Sequence, residues 1–118
     1  MRRESRKLLL DARGSAHSIM DFVEGKSLDD FLKDLVLQAA VERHFMIIGE
    51  AFARLRERDP DTFARVPEAA RAIAFRNFLV HVYDKVDYAR VWQTVHERIT
   101  PLSLLLDTLI YEALKGPS

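Results

Sequence analysis

The stretch SLDDFLKDLVLQAAVERHFMIIGEAFARLRERDP, from Ser27 to Pro60, repeats apolar residues at three- and four-residue intervals. Leu28, Phe31, Leu32, Leu35, Val36 and Ala39 follow that spacing, and Ile47, Ile48 and Phe52 continue it. A period near 3.6 lines one face of a helix, whereas a half-buried strand alternates every second residue. Ser27 stands three residues before Asp30, the arrangement of a capping box, and the pattern stops before Pro60. The stretch predicts long helical structure, with a break allowed near Lys33. Lone Gly49 in its second half predicts a close contact with another helix.

The rest of the chain follows the same period. A first helix is predicted from about Glu4 to Glu24, with Leu8, Ile19, Phe22 and Val23 on its apolar side and Gly25 as its stop. "DPDTFARVPEAARAIAF" is the connection to a third helical segment. Pro67 suits the first turn of that segment, with Glu68 near the positive end of its dipole, and the segment runs to about Tyr83. "DKVDY" then breaks the pattern. Asp87 is an N-cap candidate for a last helix from Tyr88 to about Lys115, which Pro101 should kink or divide and Gly116 and Pro117 should end. No segment reads as a convincing strand, and only four Gly and four Pro disfavour a turn-rich β fold. The expected fold is all-α, an up-and-down bundle of four to five helices, with residues 1–118 as a single domain.

Charge narrows the function. Eighteen basic and eighteen acidic side chains leave a net charge of zero, so any grip on nucleic acid must come from a local basic cluster. Cysteine is absent, which excludes disulfides and thiolate chemistry and fits a reducing compartment. No run approaches the eighteen apolar residues of a membrane span, and Asp11 and Arg13 interrupt the N-terminal leucines too soon for a signal peptide. A soluble cytoplasmic protein is expected.

One segment, "FRNFLVHVYDKVDY", mixes Arg76, Asn77, His81 and Tyr83 with large apolar residues. On a helical wheel at about 100° per residue, Phe75, Phe78, Leu79 and Val82 share an arc of roughly 100°. Arg76, Asn77, His81, Tyr83 and Asp84 fall opposite, over roughly 160°. The phenylalanine arc is the expected core stripe, which leaves the polar set free. Arg76 and His81 lie about 140° apart, too far to touch on an ideal helix, yet the long arginine can reach a shared ligand. Histidine exchanges a proton near neutral pH, and arginine stabilises negative charge developing on a phosphate. With no carboxylates at metal-ligand spacing, this chemistry points to RNA cleavage in which the ribose 2′-OH attacks the adjacent phosphate. The structural alternative stands beside it: the imidazole capping a carbonyl, and the guanidinium bridging to a carboxylate on another helix.

"RNFLVHVY" also resembles the RxxxxHxY pattern of the HepT-like branch of HEPN-domain proteins. "FVEGKSLDDFLKD", "VERHFMIIGEAFARL" and "VDYARVWQTVHERITPL" resemble that family's segments in order and spacing, over roughly Ile19 to Leu109. The sequence departs from the usual pattern at Val82, where glycine is common. The resemblance implies a HEPN-like fold and a homodimeric, metal-independent endoribonuclease, the toxin of a type VII-like toxin–antitoxin pair. Arg76 and His81 would be catalytic and Asn77 supporting, with no metal and no cofactor. The implied partners are RNA and a minimal nucleotidyltransferase (MNT) antitoxin that transfers AMP to Tyr83. AMP there would set a phosphate beside Arg76, where the RNA phosphate must sit. A second reading is a catalytically silent helical subunit that binds and regulates such a nucleotidyltransferase.

His17, His44 and His96 fall on separate helices without ligand spacing, which argues against a metal. Arg54, Arg56 and Arg58 complement a helix C-terminus, or else form an outer phosphate contact. Trp92 reads as core rather than as a stacking platform. "PLSLLLDTLIYEAL" is apolar enough for core or for a dimer seam, and the sequence leaves both open.

Overall fold

The computed structural model describes residues 1–81 and 85–115. Helix α1 spans Arg3–Val23 and ends in a turn where Gly25 adopts φ 74°, a left-handed conformation that glycine takes without a Cβ clash. Ser27 and Asp30 form the expected capping box, Asp30 N–H to Ser27 Oγ at 3.1 Å and Ser27 N–H to Asp30 Oδ2 at 2.9 Å. It opens the short helix α2, Leu28–Lys33. The break foreseen near Lys33 falls at Asp34, whose extended backbone ends α2 and whose side chain caps α3, Leu35–Arg58. Buried Gln38 secures this elbow by donating to the Phe31 carbonyl at 2.9 Å.

The expected connection after α3 holds a helix of its own, α4, Pro60–Ala64. Asp59 starts it. Its carboxylate accepts the Thr62 N–H at 3.2 Å and the Thr62 hydroxyl at 2.6 Å, and it also receives the Ser5 hydroxyl of α1 at 2.6 Å. Helix α5, Ala69–His81, begins two residues after Pro67, and its foreseen end at Tyr83 lies outside the described residues. Asp87 caps α6, Tyr88–Thr94, as expected. A π-helical turn, Val95–Ile99, joins α6 to α7, Thr100–Lys115. Pro101 sits just beyond that turn. Its ring would press on the carbonyl four residues back in a regular helix, and the wider π turn relieves that conflict.

The core lies where α1 packs on α3 and α7, and α3 on α5. Ser5 meets Asp59 and Ser15 meets His44, so α1 and α3 run antiparallel. Leu9, Ile19, Phe31, Ile48, Phe52, Leu55, Val91 and Leu106 are essentially inaccessible. Burying each such side chain contributes about 1.5–3 kcal/mol. Helix α7 divides by face: Leu102, Leu106, Leu109 and Ile110 are core, while Leu104, Tyr111 and Leu114 are exposed. The architecture is an all-α, up-and-down bundle. Among the described residues no helix is long and apolar enough to cross a membrane.

Candidate active site on helix α5

Helix α5 is rotated relative to the sequence expectation. Its buried residues are Ala69, Ile73 and Leu79. Counted from Phe75 at about 100° per residue, these fall near 120°, 160° and 40°. Arg76, near 100°, lies at the centre of the buried face rather than opposite it. Phe75 and Phe78 are half-buried and pack along the edge of the core. Leu79 alone keeps the core place foreseen for the phenylalanine arc, and Val82 lies outside the described residues.

The rotation has a local cause on α3. A Cβ built on Gly49 would stand 2.3 Å from Arg76 Cβ, 2.8 Å from Arg76 Cγ and 3.1 Å from the Ala72 carbonyl oxygen. The expected close contact at Gly49 is therefore the seat of the Arg76 stem. Apolar methylenes pack against bare backbone, and the guanidinium is left at the margin. Arg76 Nε is buried there without a partner among the described residues.

The head group turns back toward solvent. Arg76 Nη1 donates to Asn77 Oδ1 at 2.8 Å. Asn77 sits about 100° round the helix from Arg76, on the side of His81, and only about 40° from it. Asn77 thus draws the guanidinium across the wheel and closes much of the 140° gap that the spacing left open. His81 is exposed in the last turn of α5. The structure brings Arg76 and Asn77 into contact and leaves His81 one turn from Asn77, with its imidazole open to solvent. Tyr83, the AMP-acceptor candidate, and Asp84 lie outside the described residues.

The other histidines are engaged elsewhere. His44 Nδ1 meets Ser15 Oγ at 2.9 Å, and burial, then the nearby Arg43, pushes its imidazole below the ordinary value, so it is neutral at pH 7. His96 Nδ1 meets the Trp92 carbonyl at 2.9 Å, and His17 Nε2 lies 4.0 Å from Asp107. Trp92 is half-buried against Phe31, with ring centroids 5.2 Å apart, in agreement with a packing role. Arg58 is paired with Glu4 at 2.5 Å across the end of α3, so the solvated-end reading fits it.

Sequence reasoning missed a second set of cations. Arg71, Arg90 and Arg98 surround the half-buried phenylalanines, with Glu68 between two of them. The available signal was the spacing of Arg90, Thr94 and Arg98, four residues apart along one face.

The helical bundle defines the class, an all-α domain of HEPN-like type. The chain belongs to the HepT-like ribonuclease family: the sequence pattern described as "Ribonuclease HepT-like" matches residues 13–109. It is 32% identical over 98 residues to "Putative RNase MJ0127" of Methanocaldococcus jannaschii, covering 83% of this chain and 80% of that protein. It is 36% identical over 105 residues to "Probable ribonuclease HepT" of Thermococcus cleftensis, covering 86% and 92%. "Putative RNase TTE0752" of Caldanaerobacter subterraneus subsp. tengcongensis is 36% identical over 84 residues, covering 71% and 74%. No solved structure matches the chain.

Proposed function

We propose that this protein is a metal-independent endoribonuclease, a single-domain cytoplasmic toxin of a HEPN/MNT pair that works on RNA as a homodimer. Membership of a ribonuclease family supports the reaction class, and relatives named as ribonucleases support RNA as substrate. The observation that carries the reading is the Arg76–Asn77 hydrogen bond, which turns a fixed positive charge toward the face of His81. A phosphate held by the Arg76 guanidinium would have its negative charge stabilised as the ribose 2′-OH attacks phosphorus. His81, exposed and within reach of solvent and substrate, would carry the proton between the 2′-oxygen and the departing 5′-oxygen. Asn77 is a positioning residue that holds the guanidinium rather than the substrate.

In the same proposal a nucleotidyltransferase antitoxin silences the enzyme by transferring AMP to Tyr83. That modification would add a phosphate seven residues along the chain from Arg76 and compete with RNA for the guanidinium. Exposed Leu35 and Val36, 78% and 81% accessible at the α2–α3 elbow, favour a second reading as a helical subunit that binds a protein partner.

The test is incubation of mass-verified, unmodified protein with total RNA in EDTA, beside His81→Ala. Cleavage by the native protein alone is expected, with the variant equally folded by circular dichroism. Equal cleavage by both would remove His81 from the mechanism. Cleavage by neither would favour the partner-binding reading. Loss of fold in the variant would assign His81 a structural role.

A further inference from the structure

We propose that the groove between α5 and the α6–π-turn segment is a nucleotide subsite of the RNA-binding surface. In it one base stacks on Phe75 and Phe78, while flanking phosphates lie against Arg71, Arg90 and Arg98. The choice of RNA as polymer rests on the ribonuclease reading above. The groove itself is drawn from the geometry of these side chains.

The groove encloses about 270 Å³, just under the usual lower bound for small-molecule pockets, which suits one ring system rather than two. Its floor is aromatic. The Phe75 and Phe78 rings lie 6.1 Å apart and within 24° of parallel, and Phe45 supports Phe75 edge-on from beneath at 4.9 Å. The Arg90 guanidinium carbon lies 4.7 Å from the centre of the Phe78 ring, over its face. Bases stack on aromatic rings and on guanidinium planes alike, so a base that displaces the Arg90 head from Phe78 can take the ring on one face and the guanidinium on the other.

The rim is basic. Arg98 pairs with Glu68 at 2.9 Å and Arg71 approaches the same carboxylate at 3.9 Å, while Arg90 lies over Phe78, so the groove is lined by three guanidinium groups and a single carboxylate. In a chain of zero net charge this is a local excess of positive charge suited to phosphate. An apolar helix laid in the groove would desolvate these cations without a partner, and an acidic peptide would leave the rings without a stacking partner. A nucleotide meets both demands. Phe78 precedes His81 by three residues, about 4.5 Å along the axis and about 60° round it. A nucleotide in the groove is therefore a chain neighbour of the phosphate presented to His81.

The experiment measures binding of a fluorescein-labelled, fully 2′-O-methylated ten-nucleotide RNA to the native protein by anisotropy across a salt series. That oligomer has no free 2′-OH and is not cut, so the result is independent of whether the protein cleaves RNA. Phe78→Leu, which keeps apolar bulk and removes the ring, should weaken binding between about fivefold and a hundredfold and leave the salt dependence unchanged. Arg90→Gln and Arg98→Gln should each reduce the slope of log K against log salt by about 0.7. Circular dichroism confirms the fold of each variant. Absence of binding by the native protein, or variants that bind with native affinity and slope, would overturn the proposal. So would a change in sedimentation from dimer to monomer on Arg98→Gln, which would make the groove a seam between copies. None of these results decides whether His81 cleaves RNA, so the two readings fail separately.

Discussion

Replacing Gly49 by alanine puts one methyl group where α3 and α5 cross, and the structure fixes what it meets. The new Cβ would lie 2.3 Å from Arg76 Cβ and 2.8 Å from its Cγ, against an ordinary carbon–carbon contact of about 3.5–4.0 Å. Neither atom is the free end of a flexible side chain. The helices must therefore part by roughly 1 Å. Alanine gains about 0.8–1 kcal/mol over glycine in helix propensity, while overpacking costs about 1–3 kcal/mol. The net is a loss of about 1 kcal/mol, the middle of a range from roughly 0 to 2 kcal/mol, together with a displaced guanidinium. Gly14 provides the internal control. It lies exposed within α1 with nothing within 4 Å of a built Cβ, so Gly14→Ala should gain close to the full propensity term. Urea denaturation should thus move in opposite directions for the two variants, with a separation of about 2 kcal/mol. RNA cleavage should fall by up to about a hundredfold for Gly49→Ala alone, the cost of moving a catalytic group by 1 Å. A Gly49→Ala protein as stable as Gly14→Ala and fully active would refute the seating of Arg76 on α3.

The remaining predictions concern other parts of the molecule. Hydrogen bonds from Ser5, then Thr62, hold the Asp59 carboxylate at about 2, below its ordinary 3.8. Because the folded value is the lower one, this contribution of about 2 kcal/mol is present above about pH 4 and lost as pH falls toward 2. Asp59→Asn should flatten the acid limb of the stability–pH curve in that window, read by urea midpoints at each pH. Asn77→Ala should lower the cleavage rate about tenfold with an unchanged melting temperature, since it releases an exposed guanidinium rather than any core contact. Phe31 is fully buried against Trp92 and Tyr88, and Phe31→Ala should cost about 3–5 kcal/mol in denaturant titration.

Much of this fold was legible in the sequence because its helices are bounded by local chemistry. Ser27 with Asp30, Gly25 and Asp87 act on neighbours within four residues, and each does in the structure what its residue type requires. Asp34 and Asp59 were harder to place. The apolar period runs on past Asp34, so a break near Lys33 could be allowed without a fixed position, and the five residues of α4 are too few to show a period and passed for a connection. The candidate site was legible in composition and not in orientation. A wheel that begins at Phe75 sees the two phenylalanines and assigns them to the core, whereas Ala69 and Ile73, six and two residues upstream, decide the buried face. No period within α5 reveals that Gly49, on another helix, offers the one bare surface on which an arginine stem can lie.

That rotation links the two features of α5 for which functions are proposed. Turning the helix back by about 100° would bring Phe75 to the centre of the α3 contact, where the close approach at Gly49 leaves no room for a ring. It would also carry Arg76 into solvent, away from the contact that fixes its stem. With small residues at the crossing, the opposite arrangement is the stable one. The arginine is anchored by its methylenes and steered by Asn77, and the aromatic rings are displaced to the edge of the core, where Arg90 covers one of them. A fixed cation and a half-buried aromatic surface, the proposed contacts for a phosphate and a base, are thus two consequences of one packing decision. Selection for close contact at Gly49 would maintain both, because Ala72 lies against Gly49 and also lines the groove.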